Sequence, residues 1–191
     1  MVVATMVEQR LFTVDEVLQM SRAGVFEENE RLELVDGVLV PMSPEGLRHR
    51  GSICELTRVL VLAYPHMRVW VQNMLLLDVR NYRMPDFVVV DGSAWEHPDP
   101  KDVVLVVEVA HTSLAWDLGP KARAYAAWGV GTYWVLDVVH RELVVHEFPT
   151  PDGYRLTKRL DEASMVQVPR TDASLRIADV LPPTGMAHPG P

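Results

Sequence analysis

The chain is poor in cysteine and has no long apolar run. Its single cysteine, Cys54, excludes an internal disulfide and suits a reducing cytoplasm, where we expect the protein to be located. Cys54 lies in an apolar helical stretch, which predicts a small buried core residue rather than a nucleophile. No segment approaches the roughly 18 apolar residues that a membrane-spanning helix needs. Near the N-terminus stand Glu8 and Arg10 instead of a basic segment followed by an apolar one, so we expect neither a membrane span nor a signal peptide.

Positive charge and two common motifs are also scarce. The formal net charge of −8 argues against a surface that coats nucleic acid nonspecifically, although an acidic protein can still carry a local basic rim. Histidine and cysteine show no zinc-type spacing. No glycine-rich loop is followed by Lys and then Ser or Thr, which excludes the phosphate-binding loop of nucleotide hydrolases.

Length and hydrophobic content predict one domain. The chain of 191 residues, 48% of them hydrophobic, is long enough to bury a core, and it shows no internal repeat or linker. We therefore expect a single domain over residues 1–181. The remainder, residues 182–191, is rich in proline and glycine and is expected to be disordered.

Helix and strand patterns alternate along the chain. Thr13 and Glu16 have the spacing of a capping box, which predicts the start of a helix, and Asp36-Gly37 between two apolar runs predicts a hairpin. Further helices are predicted for residues 47–63 and 117–128, and strands for residues 68–72, 74–79, 86–90, 103–110, 132–138, 142–148 and 154–160, with a turn at 80–83. This order predicts an α/β fold with a central sheet and helices packed against it.

Glu108 is the most informative residue. It lies inside Val103–Ala110, an almost wholly apolar segment that predicts a central strand covered on both faces. An ionised carboxylate buried without a partner costs several kcal/mol, whereas a whole domain is stable by only about 5–15 kcal/mol. Glu108 therefore needs a partner. The alternatives to a bound metal ion are a buried arginine, or a position at the open end of the strand that faces water.

Asp86 is the second candidate carboxylate. Taken alone, Pro85-Asp86 ahead of a strand is also typical of turn chemistry. Glu108 follows 22 residues later in another strand, and adjacent strands would bring the two carboxylates together. Two like charges a few ångströms apart repel each other unless a cation lies between them. Oxygen ligands favour Mg²⁺ or Mn²⁺ over zinc, so Asp86 and Glu108 are predicted to be metal ligands.

Lys121 is the third candidate. The chain has only three lysines against fifteen arginines, and Lys121 follows Glu108 by 13 residues, early in the predicted helix 117–128. An ammonium group can orient or deprotonate a water molecule. The alternative is a surface lysine without a functional role. Asp117 is predicted to cap the same helix.

These residues, in this order, resemble the motifs of the PD-(D/E)XK nuclease superfamily, and more narrowly of its bacterial Uma-type, restriction-endonuclease-like branch. The resemblance covers the chain from about Phe12 to Leu181. The segments that carry it are Pro85-Asp86, Glu108-Val109, Asp117 and Lys121 with Tyr125-Ala126, Glu33-Leu34-Val35-Asp36-Gly37, the Pro44 loop with His49 behind it, and residues 129–137. The superfamily lysine usually stands two residues after the second acid, where this chain has Ala110, and the narrower branch moves it to the following helix, which Lys121 fits.

The resemblance implies a restriction-endonuclease-like mixed central sheet flanked by helices, and metal-assisted hydrolysis of DNA. It implies that Asp86 and Glu108 hold Mg²⁺ or Mn²⁺, together with the Val109 carbonyl, and that Lys121 positions or activates the attacking water. It adds Glu33, because an early glutamate in the superfamily approaches the metal, usually through water; in its alternating strand Glu33 could equally face solvent. A nuclease that cuts both strands is expected to pair as a two-fold homodimer.

Two other polar positions allow more than one interpretation. His49 lies between Arg48 and Arg50 at a predicted helix start, where backbone amides and positive side chains could hold a phosphate. The alternative is an exposed polar helix end. Gln72 and the five tryptophans are interpreted as packing residues.

Three functions are compatible with these patterns. The first is a metal-dependent DNA endonuclease. The second is a nuclease-fold protein that no longer cuts and serves as a binding or assembly module, which the acidic net charge favours. The third is a metal-dependent hydrolase that acts on a small phosphate ester.

Overall fold

The computed structural model describes residues 9–28, 30–42, 46–92 and 96–184. Backbone contacts group the chain into two compact units, Met1–Met42 with Met74–Met84, and Ser43–Asn73 with Pro85–Pro191. The single domain expected over residues 1–181 stays a prediction. At the start of the predicted tail, the Pro182 carbonyl oxygen accepts a hydrogen bond from Arg141 Nη1 at 2.8 Å. The remainder of that tail, from residue 185, lies outside the described residues.

The described residues form short strands and a few helices. The helices are α1 (Val14–Arg22), α2 (Leu47–Ala63), α3 (Leu114–Trp116) and α4 (Ala122–Trp128). The strands are β1 (Leu32–Val35), β2 (Val38–Pro41), β3 (Arg68–Val71), β4 (Leu75–Asp78), β5 (Asn81–Arg83), β6 (Phe87–Val90), β7 (Val103–Ala110), β8 (Thr132–Asp137), β9 (Glu142–Thr150), β10 (Gly153–Asp161), β11 (Met165–Gln167) and β12 (Ser174–Arg176). None of the described helices combines the length and the apolar character that crossing a bilayer requires.

The first unit holds a four-stranded sheet in the order β2-β1-β5-β4. Its β1–β2 hairpin turns at Asp36 and Gly37, whose φ angles are +50° and +81°, as the Asp-Gly pair predicts. Helix α1 begins with the predicted capping box, in which Thr13 and Glu16 each accept a hydrogen bond from the other's backbone N–H. The buried core of the first unit includes Val14, Val17, Leu34 and Tyr82.

The second unit holds a six-stranded sheet in the order β10-β9-β8-β7-β6-β3. β7 and β8 are parallel, whereas the other described pairs are antiparallel, so the sheet is mixed, as expected. Every residue of β7 is buried, which confirms the predicted central strand. Successive side chains of a strand point to opposite faces. Leu105, Val107 and Val109 therefore join the apolar core with Leu56 and Leu60 of α2, and Glu108 lies on the other face.

The helical segment after β7 differs from the predicted single helix over residues 117–128. It consists of α3, a π-helical turn over Asp117–Lys121, and α4. Pro120 lies inside the turn, and a proline has no N–H to donate while its ring clashes with the carbonyl four residues earlier. The wider π turn accommodates that ring. The segment ends at Gly129, as predicted, with a left-handed φ of +102°.

Two predictions are wrong for reasons that lie outside the local sequence. Residues 80–83 were expected to form a turn, yet β5 covers Asn81–Arg83, because it pairs with both β1 and β4. Cys54 was expected in the core and is exposed. The buried residues of α2 include Ser52 and Leu56, and Cys54 lies about 200° around the helix from Ser52.

An aromatic cluster lies on the sheet face opposite the apolar core. The rings of Tyr133 and His146 stack with centroids 5.5 Å apart, and Tyr154 lies 6.2 Å from Tyr133. His146 Nδ1 lies 3.0 Å from the Thr157 hydroxyl oxygen, and its Nε2 has no hydrogen-bond partner among the described residues. Burial, with a smaller contribution from Arg159, lowers the pKa of His146 below its ordinary value of 6.5.

Because the pKa of His146 is lowered in the folded protein, the unfolded chain takes up a proton at His146 at a higher pH than the folded chain does. Stability should therefore fall as the pH falls through the ordinary histidine range, from about pH 7.5 to about pH 5.5. The His146→Gln variant lacks this contribution, so its free energy of unfolding should fall less over the same interval. Urea denaturation at several pH values measures both slopes, and the packing cost of the substitution cancels in that comparison. Equal slopes would contradict the buried, neutral state of His146.

Two glycines should respond to alanine with opposite signs. A Cβ at Gly37 would lie 2.7 Å from the Leu11 Cβ and 3.0 Å from the Phe12 carbonyl oxygen, at a left-handed φ. Gly37→Ala should therefore lower the free energy of unfolding by at least about 1 kcal/mol. Gly51 lies inside α2, and a Cβ added there would meet no heavy atom within 4 Å beyond the helix's own backbone. Gly51→Ala should therefore raise the free energy of unfolding by about 0.5–1 kcal/mol. Urea denaturation measures both values, and a neutral Gly37→Ala would contradict the turn geometry.

Candidate active site

Glu108 lies on β7, and Asp86 directly precedes the neighbouring strand β6. β6 and β7 are antiparallel with Phe87 opposite Val107, so Asp86 and Glu108 flank the same end of this strand pair. Both residues are buried, at 5% and 4% exposure. The structure thus buries both predicted carboxylates at the same end of the β6–β7 pair.

The charge of Glu108 is compensated by Lys121. The Lys121 ammonium nitrogen lies 2.9 Å from Glu108 Oε1, and the Tyr125 hydroxyl donates to the same oxygen at 2.9 Å. Both side chains of the ion pair are buried, at 5% exposure each. Lys121, from the following helical segment, is therefore a buried cation beside Glu108.

Asp117 has a different role from the predicted helix cap. Helical structure already begins at Leu114, so Asp117 is the first residue of the π turn and Trp116 occupies the cap position. One of its carboxylate oxygens lies 3.6 Å from the Lys121 ammonium nitrogen, and the other accepts a hydrogen bond from the Ser113 hydroxyl at 2.6 Å. The Tyr133 hydroxyl donates to its backbone carbonyl at 3.0 Å. Lys121 therefore lies against two carboxylates.

Asp86 is held by donors from three elements. The Val109 backbone N–H donates to Oδ2 at 2.8 Å, and His49 Nε2 lies 3.1 Å from the same oxygen. The Gln72 side-chain amide donates to Oδ1 at 3.4 Å. His49 is buried, which corrects the alternative of an exposed helix end, whereas Arg48 is partly buried and Arg50 is exposed. A phosphate at this helix start stays a prediction.

Glu33 belongs to the first unit. It is buried at 2% exposure, so its side chain does not face solvent. One carboxylate oxygen accepts a hydrogen bond from the Met84 backbone N–H at 3.0 Å. Its predicted approach to a metal ion stays a prediction.

Sequence reasoning assigned no role to Tyr125 and interpreted Gln72 as a packing residue. Tyr125 could have been found, because it follows Lys121 by four residues and residues at that spacing share a helix face. Gln72 gave no such signal. Its contact with Asp86 depends on the antiparallel pairing of β3 with β6, which the local sequence does not specify.

Within the described ranges, no three His, Cys, Asp or Glu side chains are grouped in a way that could hold a metal ion by themselves. Mg²⁺ seldom requires such a group, because it usually binds through one or two carboxylates and completes its coordination with water and substrate phosphate. Asp86 and Glu108 supply two carboxylates. The donor set is therefore chemically compatible with a hard divalent cation.

The buried ion pair predicts a non-additive response to substitution. Lys121→Met leaves Glu108 buried without its cation and should lower the free energy of unfolding by about 3–5 kcal/mol. The double variant Glu108→Gln/Lys121→Met removes both charges, so its free energy of unfolding should fall by less than that of Lys121→Met alone. Urea denaturation measures all the variants.

Lys158→Met is the matched control. The side chains of Lys158 and its partner Glu147 are 52% and 32% exposed, so the free energy of unfolding should fall by less than about 1 kcal/mol. A double variant that loses at least as much free energy of unfolding as Lys121→Met alone would contradict the buried pair.

Comparison with solved structures confirms the predicted fold class. The chain superposes with a TM-score of 0.70 on the crystal structure of a "putative nuclease belonging to DUF820 from Anabaena variabilis ATCC 29413". The match covers 88% of this chain and 97% of that chain, at 16% sequence identity. At this identity the likeness concerns the fold alone, which is the mixed sheet flanked by helices.

Comparison with known sequences confirms the family. No curated protein matches the chain. The Uma2 family, described as "Putative restriction endonuclease", matches residues 14–178, which are most of the chain. The protein therefore belongs to the Uma2 family.

Proposed function

We propose that the protein is a metal-dependent endonuclease that hydrolyses DNA phosphodiester bonds with a PD-(D/E)XK-type site. The observation that carries the proposal is that Asp86 and the Glu108–Lys121 ion pair are buried at the same end of the β6–β7 strand pair. Membership of a family described as "Putative restriction endonuclease" supports the reaction class.

Asp86 and Glu108 are the residues that would hold Mg²⁺ or Mn²⁺. Their carboxylate oxygens are the ligand type that these hard cations prefer, and Asp86 already has a fixed orientation through Val109 and its other donors. A divalent cation at this position supplies Lewis-acid polarisation of the phosphate and increases the nucleophilicity of water.

Lys121 positions the attacking water in this proposal. Its ammonium group is held between Glu108 and Asp117, at 2.9 Å and 3.6 Å, so its location is set before substrate binds. From there it orients the water for in-line attack and offsets negative charge at the phosphate, while the bond from phosphorus to the leaving oxygen breaks. Tyr125 holds the shared Glu108 oxygen from the next turn of the helix.

Cleavage of supercoiled plasmid tests the proposal. The wild-type protein should cut in Mg²⁺ or Mn²⁺ and should stop cutting when a chelator is added. Asp86→Asn removes the charge but keeps the shape of a metal ligand, and Lys121→Gln removes the ammonium group; each should lower the cleavage rate at least about a hundredfold. Circular dichroism verifies that each variant is folded.

Lys101→Gln is the matched control for Lys121. Lys101 is 76% exposed and pairs with the exposed Asp99, so the variant should cut at the wild-type rate. Wild-type rates in both Asp86→Asn and Lys121→Gln would overturn the assignment of the site.

The formal net charge of −8 favours a second candidate, a binding or assembly module that keeps the nuclease fold but does not cut. Calorimetric titration with Mn²⁺ distinguishes the endonuclease from the binding module, because a module that has lost its chemistry need not retain a metal site.

Cutting of both DNA strands would further favour a two-fold homodimer over a monomer.

A further inference from the structure

Both carboxylate oxygens of Asp86 accept hydrogen bonds. Oδ2 accepts from the Val109 backbone N–H at 2.8 Å and lies 3.1 Å from His49 Nε2, and Oδ1 accepts from the Gln72 amide at 3.4 Å. An ionised carboxylate can only accept hydrogen bonds, so a contact between His49 Nε2 and an ionised Asp86 requires the proton on the His49 nitrogen. Donors on both oxygens restrict rotation of the carboxylate about its bond to Cβ.

Gln72 adopts a backbone conformation that costs free energy. Its φ is +53°, in the left-handed region that glycine and asparagine favour, and glutamine has no local reason to adopt it. The same residue donates its backbone N–H to the Asp86 carbonyl oxygen at 2.9 Å. Gln72 therefore contacts Asp86 through both its backbone and its side chain. Strained residues of this kind concentrate at functional sites, where the surrounding structure holds them in place.

His49 reaches the same carboxylate from another element. It lies in the first turn of α2, and the side chains of His49 and Asp86 are exposed by only 10% and 7%. Residues 49 and 86 are far apart in the sequence, so the contact depends on how α2 packs on the sheet. A polar group buried in this way is retained for the hydrogen bond that it makes.

We propose that His49 and Gln72 are positioning residues, which together fix the Asp86 carboxylate in the orientation that binds the divalent cation. The inference rests on the proposed function. Groups that orient a metal ligand without touching the metal typically change metal affinity or activity by about 10–100-fold when they are removed. Fixing the ligand before the cation arrives also removes the entropic cost of ordering it on binding.

Calorimetric titration with MnCl₂ tests the proposal. His49→Leu and Gln72→Gly should each weaken Mn²⁺ binding by about 10–100-fold. His49→Gln retains an N–H donor near the position of Nε2 and should recover most of the affinity. In plasmid cleavage at limiting Mn²⁺, kcat should fall in His49→Leu and Gln72→Gly, whereas the KM for DNA should stay unchanged.

Gln72→Gly also separates positioning from general structural support. Because glycine adopts positive φ without strain, this variant should keep or raise the melting temperature while it loses Mn²⁺ affinity. Phe148→Gly is the matched control, since Phe148 has a φ of +62° and is 61% exposed on β9. It relieves similar backbone strain and should bind Mn²⁺ like the wild-type protein.

The outcomes distinguish this inference from the proposed function. If the wild-type protein binds Mn²⁺ and cuts DNA while His49→Leu and Gln72→Gly match it, the positioning role is overturned and the endonuclease proposal stands. If the wild-type protein neither binds Mn²⁺ nor cuts, both are overturned. If His49→Gln is as weak as His49→Leu although both are folded, the hydrogen bond from His49 is not what holds Asp86.

Discussion

The buried ion pair between Glu108 and Lys121 is the constraint on which the site depends. A carboxylate in the middle of an apolar strand is tolerated only with a cation beside it, because the cost of burying an unpaired charge is a large fraction of the stability of a whole domain. Lys121 supplies that cation at 2.9 Å, and Tyr125 satisfies the same oxygen. The pair therefore fixes where the helical segment after β7 lies on the sheet.

The helical segment after β7 presents several polar groups on one face. Asp117, Lys121 and Tyr125 follow one another at intervals of four residues, so they project toward the same face of the helical segment. Alternation along β7 completes the arrangement, since Glu108 faces this polar group while Val107 and Val109 face the apolar core with α2. A polar site and a dry core thus lie on opposite faces of one strand, and neither disrupts the other.

Electrostatics connect this arrangement to the proposed chemistry. Asp86 and Glu108 are two buried carboxylates at the same end of the β6–β7 pair, and the Lys121 ammonium group offsets the charge of Glu108. The acidic balance of the whole chain does not conflict with such a site, because a local group of charges acts at short range, whereas the net charge acts on nonspecific association. The polar donors around Asp86 come from α2, from the end of β3 and from β7, which makes the site a product of the second unit as a whole.

Local patterns in the sequence determined the capping box at Thr13, the Asp-Gly hairpin, the bounds of α2, the buried strand β7 and the order of Asp86, Glu108 and Lys121. They were predictable because a cap, a turn and a hydrophobic period depend on residues that are close in the sequence. Tertiary structure alone decided that Asn81–Arg83 is a strand, that Cys54 faces outward, and that Gln72 and His49 contact Asp86 from 14 and 37 residues away. Those outcomes follow from strand pairing and helix packing between distant segments, which no local propensity encodes.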